Sequence, residues 1–195
     1  MNETWTINVL VNTPYLLNMK GGPGTWEQPV GKDLMWGENI ILIATSPRGD
    51  EVQVGTGDKH NINIDALDAV EWVVRPMDMR WAEGLSVVMY GFAHGHGWDE
   101  GMNVVTNQKT PIANIWMNDN FDKPSAPPRL TFDFNYINPY VPRAVGVNLV
   151  GDVVVAHYKI KIILVKLKGT QVQALKYAQV DPTITVFPVG RRLEG

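Results

Sequence analysis

The chain has 195 residues, a formal net charge of -3 and 45% hydrophobic residues, which is enough apolar material for one domain or two small ones and too much for a disordered chain. Its 17 Lys+Arg and 20 Asp+Glu fall in no long run, so the electrostatic footprint of a nucleic-acid binder is missing, and no apolar stretch reaches the roughly 18 residues of a membrane span. Cys is 0, which excludes a disulfide framework, a thiolate metal site and a cysteine nucleophile.

Glycine (18) and proline (13) are frequent and punctuate short apolar segments, the pattern of an all-β domain. From the N-terminus, Trp5, Ile7, Val9 and Val11 alternate with Thr6, Asn8 and Leu10, the period of a strand with one buried face. The opening Met1-Asn2-Glu3-Thr4-Trp5 lacks the basic and apolar regions of a secretory signal. Further strands are predicted at 40–45, 51–54, 62–64, 70–74, 85–92, 115–117 and 129–134, with at most one helical turn at Asp65 to Asp68. Between Val153 and Leu167, Tyr158, Ile160, Ile162 and Leu164 alternate with His157, Lys159 and Lys161, so one face is core and the other wet. After a turn at Gly169, strands at 172–177 and 183–187 close the domain. The fold class expected is all-β: a single antiparallel β-sandwich, jelly-roll-like, with long loops. It spans 1–190, and 191–195 is read as a disordered or appended tail.

Two stretches, 18–37 and 118–128, carry proline and glycine that no central strand accommodates. These are predicted loops, where binding sites tend to lie. The sharpest local feature follows the strand ending at Phe92, in His94-Gly95-His96-Gly97-Trp98-Asp99-Glu100. If this segment is extended, His94 and His96 project to one side and Glu100 adds an oxygen, a spacing that resembles the first metal motif of cupins. Val88 replaces the glycine expected six positions before the first histidine, and no second motif follows.

Asn118-Asp119-Asn120-Phe121-Asp122 has the oxygen-rich composition of a calcium loop without the EF-hand spacing; Asn and Asp are also ordinary turn residues. Of 7 tryptophans, Trp5 and Trp72 sit in strand patterns and read as core. Trp26, Trp36, Trp98 and Trp116 sit in or beside loops, free either to stack on a sugar ring or to cap the core. A phosphate loop is excluded: six residues separate Gly24 from Gly31, and Asp33 stands where Ser or Thr would hold magnesium. None of the serines, Ser46, Ser86 and Ser125, lies in a nucleophile elbow.

Four segments together resemble the AidA/PixA family of bacterial inclusion-body proteins: Ile7-Asn8-Val9-Leu10-Val11; Val70-Glu71-Trp72-Val73-Val74-Arg75-Pro76; Ser86-Val87-Val88-Met89-Tyr90-Gly91-Phe92; and the closing Asp181-Pro182-Thr183-Ile184-Thr185-Val186. Val180 departs from the aromatic residue that often precedes that aspartate. The resemblance implies one β-sandwich domain, production under quorum or growth-phase control, no established catalytic activity and a lectin-like role. It also implies residence in the bacterial cytoplasm or in inclusions, with release lacking a classical signal peptide left open.

The leading expectation is therefore a non-enzymatic, carbohydrate-binding protein with no nucleic-acid partner, calcium as its only candidate cofactor, and homo-oligomeric assembly. Its ligand residues would be Trp98 as stacking platform, with Asp99, Asn118 and Asn120, and its calcium ligands Asp119 and Asp122. Two alternatives stand beside it: a cupin-like metalloenzyme using His94, His96 and Glu100, and a purely structural self-assembling inclusion protein.

Overall fold

A computed structural model describes residues 2–20, 24–31, 37–77, 84–108, 122, 125–127, 141–168 and 171–189. Its strands are β1 (Thr4–Val11), β2 (Ile40–Thr45), β3 (Val52–Thr56), β4 (Asn61–Asp65), β5 (Ala69–Pro76), β6 (Leu85–His94), β7 (Thr106–Gln108), β8 (Val141–Val145), β9 (Val154–Lys168), β10 (Gln171–Val180) and β11 (Thr183–Phe187). Among the described residues two short α-helices accompany them, α1 (Thr13–Asn18) and α2 (Trp98–Gly101).

One sheet has the order β3-β2-β1-β5-β8-β7; the other runs β10-β9-β11-β4, with β6 also paired to β9. The sheets are mixed, which corrects the expectation of an antiparallel arrangement: β1 runs parallel to β5, and β11 parallel to β4. Parallel neighbours need long crossovers rather than hairpins. Between β1 and β5 the chain passes through β2 and β3, which extend the same sheet, and β4, which is paired in the opposite one.

The alternation read in β1 is realised: Trp5, Ile7, Val9 and Val11 are fully buried, while the intervening residues face outward. Each such aliphatic side chain contributes about 1.5–3 kcal/mol through burial. β9, 15 residues long, buries Tyr158, Ile160, Ile162 and Leu164 and leaves His157 exposed, as its pattern requires. The two sheets share one core. Trp72 on β5 donates its indole N–H to the Tyr158 hydroxyl on β9 at 3.1 Å, and Phe92 packs on Trp72 with ring centroids 4.7 Å apart. Burial pushes the Tyr158 phenol well above its ordinary pKa, against the smaller effect of the Trp72 hydrogen bond, so it remains a neutral acceptor.

A second apolar layer lies outside the β6-β9-β10 region. A bulge at Tyr90 shifts the β6–β9 register, and its ring packs against Trp26 and Tyr177. Lys176 Nζ reaches the Leu17 and Met19 carbonyls at the C-terminal end of α1, at 3.1 and 2.7 Å. At the other end of that helix, Asn12 accepts from the Tyr15 N–H at 3.1 Å.

Asp65 to Asp68 form a turn rather than a helical one, with Leu67 at φ 72. Asp68 holds it by accepting from the Glu3 and Asp65 backbone N–H groups and the Trp5 indole. The strands expected at 115–117 and 129–134 lie outside the described residues, as do 191–195. Among the described residues, no helix is long and apolar enough to cross a membrane.

Candidate functional site

The His94–Glu100 segment is not extended beyond His96. Gly95 N–H donates to the His157 carbonyl at 2.8 Å, and His157 N–H to the His96 carbonyl at 2.9 Å, so the chain follows β9 for two residues past β6. It then reverses at Gly97, whose φ of 74 lies in the left-handed region. A side chain at Gly97 would also strike the Val155 carbonyl, so two independent constraints require glycine there. The reversal starts α2 and places Trp98 inward.

Trp98 is fully buried. Its indole packs against Tyr158 with centroids 5.2 Å apart and lies nearly parallel to the His94 ring at 5.0 Å and 27°. This corrects the expectation of a stacking platform: Trp98 caps the core and offers no face to a sugar. Its indole nitrogen is buried without a hydrogen-bond partner among the described residues.

His94 stands between two carboxylates. Nδ1 lies 3.0 Å from Asp99 Oδ1, and Nε2 lies 2.6 Å from Asp122 Oδ1. The Asp122 oxygen also accepts from the Val105 backbone N–H at 2.9 Å. Both His94 contacts are donations only when both ring nitrogens carry hydrogen. Asp99 is largely exposed, whereas Asp122 and the His94 ring are enclosed, with side-chain exposures of 11% and 6%. Most of the bond energy therefore resides on the Asp122 side, where water competes least.

The calcium site expected at Asp119 and Asp122 lies in part outside the described residues, and at the expected transition-metal site His94 stands between carboxylates. The His94 nitrogens that would face a transition metal already face carboxylates, while His96 and Glu100 are exposed. Among the described residues, no group of three His, Asp or Glu side chains is disposed to hold a metal ion. Asp122 is engaged by His94 and Val105; Asn118, Asp119 and Asn120 lie outside the described residues. The structure thus joins three of the singled-out residues, His94, Asp99 and Asp122, around Trp98. The pairing of His94 with Asp122 has no local signal, since 28 positions separate them.

The chemistry available is that of a clamp. Both His94 nitrogens face carboxylate oxygens within hydrogen-bond distance, so neither points freely at a substrate or a cation. What the clamp does is tie the end of β6 to α2 and to the segment at residue 122.

No protein-family model matches the sequence. No curated protein matches it either. In fold, the chain is similar to the inclusion body protein PixA from Burkholderia cenocepacia J2315, with a TM-score of 0.61 and 8% sequence identity, over 96% of this chain and 97% of that one. At that identity the likeness is one of fold.

Proposed function

We propose that this chain belongs to the AidA/PixA family and is a non-enzymatic, structural protein that accumulates by self-association, as inclusion material in the bacterial cytoplasm. The observation that carries this reading is the end-to-end likeness in fold to a protein named for inclusion bodies. The two sheets around their shared core are read as a β-sandwich. The most concentrated polar cluster supports the same direction, because the His94 nitrogens are spent on Asp99 and Asp122. The lectin-like reading loses its aromatic platform with Trp98 buried.

Light scattering of the purified protein over a wide concentration range, with and without a panel of sugars and with a chelator, tests the reading. Assembly should grow with concentration and be indifferent to both additions. A chain that stays monomeric throughout, or that binds a glycan saturably on an array, would overturn it in favour of a binding protein.

A further inference from the structure

The outward faces of the two sheets differ in chemistry. On the β4–β11 side, beside Phe187 and the exposed Val155, amides and hydroxyls bond to one another: Asn61 Oδ1 accepts from Thr183 and Thr185, both at 2.9 Å, and Asn61 Nδ2 donates to Asn63 at 3.1 Å. Over β6, β9 and β10 the sheet is covered by α1 and by the segment carrying Trp26.

On the other sheet, six of the twelve residues that share the outward face of β3, β2, β1 and β5 are apolar. Its registers align three rows across β3, β2, β1 and β5. The middle row is Val54, Ile43, Asn8 and Val73. On one side of it lie Val52, Thr45, Thr6 and Glu71; on the other, Thr56, Ile41, Leu10 and Arg75. Val52 and Val54 are 55% and 65% exposed on the edge strand. The patch thus combines the exposed Val52 and Val54 with the half-buried Ile41, Ile43 and Leu10 on one pleated surface that ends at the buried Val73, a concentration that marks an interaction site.

We infer that this face is the surface through which two copies of the chain associate, sheet on sheet, about a two-fold axis running across the strands at the level of Asn8. The charges select a second copy as the occupant. Glu71 and Arg75 stand on the same strand and the same face, on opposite sides of the middle row. A two-fold rotation about that axis exchanges the outer rows. It sets Glu71 of each copy against the partner copy's Arg75, and packs each middle row, apolar except for Asn8, on its equivalent. Arg75 is exposed and makes no ion pair with a described residue, whereas Glu71 has Arg143 at 3.9 Å on its far side. Such self-complementarity defines an isologous interface, and near-aligned packing is an ordinary geometry for two facing sheets.

This inference rests on the self-association reading and names its surface. Sedimentation equilibrium of the wild-type chain and of Arg75→Glu, Glu71→Arg/Arg75→Glu and Val54→Lys tests it, with circular dichroism verifying that each variant is folded. Wild type should dimerise. Arg75→Glu, which sets like charges against each other, and Val54→Lys should each weaken dimerisation about tenfold or more, and the double reversal should recover most of what the single one loses. Wild-type dimers that persist unchanged in Arg75→Glu and Val54→Lys would overturn the inference while leaving self-association standing. A double reversal as weak as Arg75→Glu would overturn the charge pairing and with it the proposed axis. A wild-type chain that is monomeric at every concentration would remove both readings.

Discussion

The side-chain amide of Gln53 on β3 makes both hydrogen bonds that a neighbouring strand would offer to Asn63 on β4: its Nε2 donates to the Asn63 carbonyl at 3.1 Å, and its Oε1 accepts from the Asn63 N–H at 2.8 Å. β3 is the edge of one sheet and β4 the edge of the other. One side chain therefore bridges the seam where a backbone ladder would otherwise join them. It also satisfies both backbone groups of an edge residue that could template another chain.

Replacing Gln53 by leucine is expected to lower stability by about 2 kcal/mol, since both main-chain groups of Asn63 lose their partners together. Hydrogen exchange locates the effect: the Asn63 amide and its β4 neighbours should exchange faster, while β1 amides change only as global stability does. Equal protection of β4 in the variant would show that the seam closes without Gln53.

Beside that seam sits His60, 1% exposed, whose ring nitrogens have no well-formed hydrogen bond to a described residue. Burial lowers its pKa from the ordinary 6.5 to about 4, and the Gln53 carbonyl opposes this weakly. The folded state thus keeps the ring neutral while the unfolded chain takes up a proton. Stability is fully present above pH 6.5 and falls as the pH drops towards 4, by about 3 kcal/mol from this group. His60→Leu should lose that part of the acid sensitivity. Denaturant titrations of both proteins at pH 7 and pH 4 give the comparison, and identical losses in the two would rule out His60 as their source.

How much of this was legible in the sequence depends on the range of the interaction. The faces of β1 and β9 were readable because period-2 alternation is local, and Trp5 and Trp72 were placed correctly by it. Strand partners were not readable: nothing near Ile7 or Ile184 states that β1 meets β5, or β11 meets β4, in parallel. α1 escaped notice because six residues cannot display a helical period, although Asn12 and Pro14 mark its start. β7 and β8 were missed for a similar reason, being three and five residues long. Trp98 was misread because its neighbours are polar or glycine. The left-handed turn at Gly97 decides its direction, and the Val155 carbonyl, far along the chain, leaves no room for a side chain there.

The His94 clamp gives the last prediction, in which the identity of the replacement separates its two contributions. Asp122→Ala removes the acceptor from both His94 Nε2 and the Val105 N–H in an enclosed site, so it should cost about 3 kcal/mol. Asp122→Asn keeps a neutral oxygen for one donor and weakens the bond to His94, so it should cost about 1 kcal/mol. Asp99→Ala removes an acceptor that is 79% exposed and should be nearly silent, because water replaces it. Thermal melts of the three variants give the ranking. A cost for Asp99→Ala as large as that for Asp122→Ala would mean that the two carboxylates hold the ring equally, and that enclosure does not set the strength of the clamp.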